Sequence, residues 1–169
     1  MDNTFNIKRF GKLLKKTLLE RPMNTCGFTA LVLAVTLILY AVLKTLSGFD
    51  MAQRLTFFVG MTGGSFFLAS FCFGFFSTNA SGSSFLTMPA SHFEKWLCAG
   101  LITGVLYPLI FLIFYRITDS SFVSIYHNSL DTASPFYKQQ YERVYEFDLN
   151  GIIARNIYIM FFIYTGAML

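Results

Sequence analysis

The chain has 169 residues, of which 54% are apolar, 18% aromatic and only 13% charged, and its mean hydropathy is +0.54. Soluble domains average about 45–50% apolar and about 25% charged residues, and a chain this short cannot bury so large an apolar fraction in one core. The composition excludes a typical soluble enzyme domain and intrinsic disorder, and it predicts a membrane protein.

Residues 1–22 form the first predicted segment, and an amphipathic helix is predicted over residues 5–20. At about 100° per residue, Ile7, Phe10, Leu14 and Leu18 share one face. The opposite face is basic and consists of Lys8, Lys12, Lys15 and Lys16. Anionic lipid attracts such a face by about 1 kcal/mol per basic residue, so we expect an in-plane helix at the membrane surface that ends at the Arg21–Pro22 step. A basic signal-peptide region is the alternative.

Apolar stretches follow, and they predict an all-α transmembrane domain over residues 23–169. A helix needs about 20 apolar residues to cross the hydrocarbon. The predicted spans are about 25–43, 55–76, 96–115 and 152–169, and Pro108 predicts a kink in the third. Because the chain stops inside the fourth stretch, either the polypeptide ends within the bilayer or it is the N-terminal part of a longer protein, and we expect the second.

The basic residues also predict the orientation. Six of the 13 precede position 22, which places the N-terminus in the cytoplasm. The loops then alternate, with 44–54 outside, 77–95 inside and 116–150 outside. In the last of these, Ser134–Pro135 is expected to start an aromatic helix at the outer surface. Because the positive charge is concentrated in the N-terminal segment, no nucleic-acid partner is predicted.

Glycines four residues apart mark the second and third predicted spans. These pairs are Gly60 with Gly64 and Gly100 with Gly104. Small residues at this spacing let another helix approach closely. Packing within the chain and association with a second membrane subunit are both open interpretations. No charged residue lies in the middle of the first three spans, which disfavours a proton-coupled transporter or an ion channel and suits a lipid-like substrate or motion driven by another protein.

No catalytic motif, cofactor motif or metal-ligand spacing is present, and the three cysteines predict no disulfide framework. We therefore expect a protein without enzymatic activity, cofactor or metal.

The connector before the third span is the most informative segment. Ser91 is predicted to cap a helix that begins at His92, with Glu94 completing a capping box. An exposed cytoplasmic turn with apolar side chains fits a groove in a soluble partner, although a loop resting on the membrane is an equal alternative. The residues of this connector turn are Phe85, Leu86, Met88, Pro89, Ser91, Phe93, Glu94 and Lys95.

The segment Leu86–Trp96 reads LTMPASHFEKW, which resembles an L-x-x-P-A-S-x-x-E-K-W/F pattern, with Met88 where leucine is usual. Together with a basic in-plane helix and flanking spans, it resembles the permease subunits of type-2 ABC transporters, in particular a Bacteroidetes-type branch. Members usually have six spans. The resemblance implies a bacterial inner-membrane subunit whose in-plane helix and connector turn face a separate ATPase subunit, with a second permease subunit as a further partner. The rival hypothesis is a structural or regulatory protein that only binds other transmembrane helices.

Overall fold

The computed structural model describes residues 6–20, 22–72, 91–131 and 136–168, and within these ranges the chain is helical and contains no strand. The all-helical part of the predicted fold is therefore confirmed. The α-helices are α1 (Ile7–Glu20), α2 (Pro22–Ser47), α3 (Phe49–Phe58), α4 (Gly64–Cys72), α5 (His92–Leu101), α6 (Tyr107–Asn128), α7 (Tyr137–Tyr141) and α8 (Ile152–Met168).

In the part of the chain that the structure describes, two π-helical turns lie within the longer helices without ending them. Turn π1 (Val59–Gly63) joins α3 to α4, and turn π2 (Ile102–Leu106) joins α5 to α6. We call α3–π1–α4 the second helix and α5–π2–α6 the third helix. In π2 the N–H of Tyr107 donates to the carbonyl of Ile102. Because Pro108 has no N–H for the carbonyl four residues before it, the α-helical ladder cannot pass through this point unchanged.

Length and composition allow a membrane crossing for two helices in the described ranges, Gly27–Ser47 and Phe93–Asn128. A shorter apolar helix covers Ile152–Tyr164. The predicted second span starts on α3, but residues 73–76 at its end lie outside the described residues. In the described ranges the chain is therefore all-helical, with two helices that are long and apolar enough to cross a membrane.

Helix α1 covers Ile7–Glu20, within the predicted range of 5–20, and residues 5 and 21 lie outside the described residues. The side-chain oxygen of Asn6 accepts from the N–H of Lys8 at 3.0 Å, which satisfies one of the free donors at the helix start. After Glu20 the next helix begins at Pro22, a residue that suits the first turn because no N–H is needed there. Helices α2 and α3 then form a hairpin, and Gly48 between them has a φ of 84°, which favours glycine.

The core is aromatic and lies between α2, the second helix, the third helix and α8. Its centre is Phe57, which is fully buried and has the rings of Tyr115 and Phe147 at centroid distances of 5.0 Å. Other members are Tyr40, Met61, Leu68, Tyr107, Phe111, Ala154, Ile157 and Phe161. Since α8 contributes three of these residues, the last helix is an integral part of the packed bundle.

The structure of residues 116–150 differs in two ways from the predicted outer loop. The third helix continues past Tyr115 to Asn128, because Arg116 and Asp119, which interrupt the apolar pattern, both have polar partners on residues 146–147. The aromatic helix expected after Ser134–Pro135 is limited to Tyr137–Tyr141, and Ser134 and Pro135 lie outside the described residues. Residues 144–148 are not helical, since side chains of neighbouring helices bind their backbone groups.

Candidate functional site

The start of the third helix is joined to α1 through one carboxylate. The Glu94 side chain is 0% exposed. The Nε of Arg9 donates to its Oε2 at 2.9 Å, a terminal guanidinium nitrogen donates to Oε1 at 2.9 Å, and the N–H of Asn6 donates to Oε1 at 2.9 Å. Because both oxygens accept charge-assisted or backbone hydrogen bonds, Glu94 is fully paired in its buried position.

The same carboxylate closes the predicted capping box, which is confirmed. The N–H of Ser91 donates to Oε2 of Glu94 at 3.0 Å, and the N–H of Glu94 donates to Oγ of Ser91 at 3.1 Å. One side chain therefore both begins the third helix and holds α1 against it. We call the contacts among Asn6, Arg9, Ser91 and Glu94 the Glu94 junction.

Apolar packing continues the contact along the third helix. Leu13 of α1 is buried against Cys98 and Ile102, and Phe10 and Leu14 pack beside it. The apolar side of α1 is thus turned at least partly towards protein. The basic face is exposed, and its members are Lys8, Lys12, Lys15 and Lys16.

The connector turn is described only at its C-terminal end. Phe85, Leu86, Met88 and Pro89 lie outside the described residues. Ser91 and Glu94 belong to the Glu94 junction, and Lys95 is buried at 8% exposure. Phe93 is 57% exposed beside Trp96, with a ring-centroid distance of 6.3 Å. Phe93 is therefore the aromatic residue that this end of the turn presents on the surface.

We expect Glu94→Ala to release α1 from the third helix. The variant removes the acceptor of Arg9 and Asn6, and trypsin should then cleave at the lysines of α1 several times faster than in the unmodified protein. The rate is measured by limited digestion of the purified full chain in detergent. Asp50→Ala is the matched control, since it removes an exposed ion pair with Arg54. Equal cleavage rates in the two variants would contradict the role of the junction.

The predicted glycine pair of the second helix faces two neighbouring helices. A Cβ at Gly60 would collide with the ring of Phe111 and with Thr36, and a Cβ at Gly64 would collide with the hydroxyl of Tyr107. The Tyr107 hydroxyl also donates to the carbonyl of Gly60 at 2.5 Å. These glycines therefore allow close packing within the chain.

The glycines of the third helix are in a different environment. Gly100 is half-buried, whereas a Cβ at Gly104 would have no neighbour within 4 Å. The structure therefore places the two predicted pairs in separate settings, one inside the bundle and one at least partly facing open space.

A second buried carboxylate, Asp119, lies at the other end of the bundle. It is 1% exposed. Its Oδ1 accepts from the hydroxyl of Tyr40 at 2.6 Å and from Nε2 of Gln53 at 2.9 Å, and its Oδ2 accepts from the N–H of Phe147 at 2.7 Å. Asp119 thereby joins α2, α3 and α6 to the chain that leads into α8.

Side chains also hold most of the segment 144–149, which we call the strap. Gln53 donates to the carbonyl of Tyr145 at 2.9 Å, His127 contacts the carbonyl of Val144 at 3.0 Å, and Tyr158 donates to the carbonyl of Leu149 at 3.2 Å. Arg116 pairs with Glu146 at 2.5 Å. The strap therefore fixes the entry of α8 into the bundle.

Sequence reasoning missed Asp119, although a signal was present. Tyr107, Phe111, Tyr115 and Asp119 follow one another at four-residue spacing, which places them on one helix face. An acidic residue that continues such an aromatic face is buried and needs hydrogen-bond donors around it. For Asp119 these donors are Tyr40, Gln53 and the backbone of the strap.

Among the residues that the structure describes, no group of three or more metal-ligating side chains comes together. Both carboxylate sites described above accept hydrogen bonds on each oxygen, so their chemistry is that of holding helices in place. No protein-family model matches the chain, and no curated protein or solved structure shows significant similarity to it.

Proposed function

We propose that this protein is the permease-like subunit of an ATP-driven, ABC-type transporter, and that a separate subunit hydrolyses the ATP. The observation that carries the proposal is the Glu94 junction. It joins α1 to the first turn of the third helix, at the C-terminal end of the connector turn. A partner that moves this turn would therefore move α1 and the third helix together.

The membrane location proposed here rests on length and on exposed apolar surface. The helices Gly27–Ser47 and Phe93–Asn128 are long and apolar enough to cross a bilayer. Ile38, Ile113 and Ile117 are each more than 60% exposed on them, which hydrocarbon tolerates better than water. The proposed arrangement is multi-pass in a bacterial inner membrane, with spans at about 25–43, 55–76, 96–115 and 152–169. The N-terminus is cytoplasmic, and the lysines of α1 lie at the headgroups.

The proposed mechanism uses the continuity of the third helix. ATP binding by the partner displaces the connector turn, and the Glu94 junction passes the displacement to α5. Because α5, π2 and α6 form one uninterrupted helix, the movement reaches Tyr107 and Asp119, which contact the second helix and the strap. A second permease subunit completes the pathway in this proposal.

Co-purification with a co-expressed ABC-type ATPase subunit tests the proposal. We expect the unmodified protein to retain the ATPase in detergent and Phe93→Asp to reduce the retained amount at least tenfold, because a charge replaces the exposed ring of the connector turn. Phe136→Asp is the matched control, since Phe136 is 61% exposed elsewhere. Failure of the unmodified protein to retain the ATPase, or equal retention by both variants, would refute the proposed contact.

A second candidate function is a noncatalytic structural or regulatory protein that binds other transmembrane helices. Val105, Leu109, Ile113 and Ile117 favour it, because they form an exposed ridge at four-residue spacing on the third helix. Gly104 lies beside this ridge with open space around it. A cysteine at Ile113 that cross-links to another membrane protein, together with no retained ATPase, would support this alternative.

A further inference from the structure

An apolar cleft lies between the second helix and α8. Its volume is about 370 Å³, and its walls include Phe58, Phe66, Phe161 and Tyr164. Ligand-binding pockets generally have volumes of about 300–1,000 Å³ and predominantly apolar walls. The size of the cleft is therefore that of a small-molecule site.

The walls of the cleft offer neither charge nor a free hydroxyl donor from the second helix. None of its lining residues is charged. The hydroxyl of Thr62 donates to the carbonyl of Phe58 at 2.6 Å, and the hydroxyl of Ser65 donates to the carbonyl of Thr62 at 2.8 Å. Because these hydrogens are already donated within the helix, neither hydroxyl can donate to a carboxylate or phosphate of a ligand, and such a group would lose its water without gaining a donor there.

Gly63 leaves space in the wall. It belongs to π1, and a Cβ built on it would meet only a methyl carbon of Val59, at 3.9 Å. A side chain added at position 63 therefore begins in open space that borders the cleft. Tyr164 on the opposite wall is 60% exposed, so its hydroxyl is accessible to a polar group outside the cleft.

We propose that this cleft binds a single alkyl chain of an amphiphile. An uncharged wall whose Thr62 and Ser65 hydrogens are already donated within the helix complements hydrocarbon, and Tyr164 suits the polar end of such a molecule. Fatty acids and phospholipids share this chemistry. The inference rests on the membrane location proposed above but not on the ATPase, and within a permease it would identify the substrate class as amphiphilic.

Photolabelling with palmitic acid that carries a diazirine on its chain tests the proposal. The full chain is reconstituted in phosphatidylcholine nanodiscs without an ATPase, and labelled peptides are identified by mass spectrometry. We expect saturable labelling of the peptides that contain Phe66 and Tyr164, and competition by unlabelled palmitate. If lysophosphatidylcholine also competes, the site recognises the alkyl chain that both molecules share. If only palmitate competes, the ligand is a free fatty acid.

The decisive variant is Gly63→Leu, which adds a branched side chain at the wall of the cleft and should reduce this labelling about tenfold. Gly104→Leu is the matched control, because Gly104 lies in the other π turn, also has open space around it and does not line the cleft. It should label as the unmodified protein does. If labelling does not saturate, or spreads evenly over all exposed apolar faces, the site is ordinary lipid contact and the proposal is overturned. Saturable labelling without ATPase retention would support the cleft and refute only the transporter.

Discussion

Replacing Asp119 by alanine is expected to lower the thermal midpoint of the protein in detergent by about 6–12 °C. The variant leaves three buried donors without their acceptor, namely the Tyr40 hydroxyl, the Gln53 amide and the Phe147 N–H. Each buried unsatisfied group costs about 1–3 kcal/mol, so the loss is about 3 kcal/mol or more. For a chain of this size 1 kcal/mol corresponds to about 2–4 °C.

Asp119→Asn provides a graded comparison. Its oxygen still accepts from Tyr40 and Gln53, but its amide group opposes the N–H of Phe147, so an intermediate midpoint is expected. Asp50→Ala is the control for loss of an acidic residue, because Asp50 is exposed and its pair with Arg54 contributes at most about 1 kcal/mol. Equal midpoints for Asp119→Ala and Asp50→Ala would contradict the structural role of the buried carboxylate.

Gly64→Ala is the second substitution with a large expected effect. The added methyl group would collide with the Tyr107 hydroxyl and with Val32, so the second helix must move away from α2 and the third helix. Inserting a methyl into a packed core costs about 1–3 kcal/mol, and the movement also weakens the hydrogen bond from Tyr107 to Gly60. We expect a clear loss of thermal stability in detergent.

The control Gly104→Ala is expected to raise the thermal stability in detergent, whereas Gly64→Ala lowers it. No atom lies within 4 Å of the added Cβ, and alanine favours a helical backbone over glycine by about 0.5–1 kcal/mol. A double variant with Tyr107→Leu tests the cause of the Gly64 effect. If the collision with Tyr107 is responsible, the double variant should be more stable than the sum of the single effects predicts. Strict additivity would assign the loss to another contact.

Local patterns predicted the parts of this fold that local chemistry determines. A helix start at a proline and the capping box of Ser91 and Glu94 depend on residues within one helical turn, and the structure has α2 beginning at Pro22 and the capping box. The amphipathic pattern of α1 also gives a helix, although its in-plane position stays a prediction. None of these features requires knowledge of a distant residue.

Contacts between residues that are far apart in the sequence could not be predicted from local patterns. The sequence predicts Glu94 only as the cap of its own helix and gives no partner for Arg9, and only the fold brings the two residues together. Asp119 was read as part of a polar loop, because a single sequence does not show that Tyr40, Gln53 and the strap supply buried donors. The glycine spacing identified a close approach at Gly60 and Gly64 but left open which helix would fill it.

The turn π1 has a consequence for chains that differ in length at this point. Its hydrogen-bonded rings enclose one residue more than those of an α-helix. Deleting one residue within π1 would let the backbone return to regular α-helical winding, because the wider turn already accommodates one extra residue. The residues of α4 would therefore keep their orientation, and Phe66 and Phe67, now exposed at 48% and 54%, would stay on the surface. Inserting a residue into the regular winding of α4 would instead rotate all later residues of that helix by about 100°.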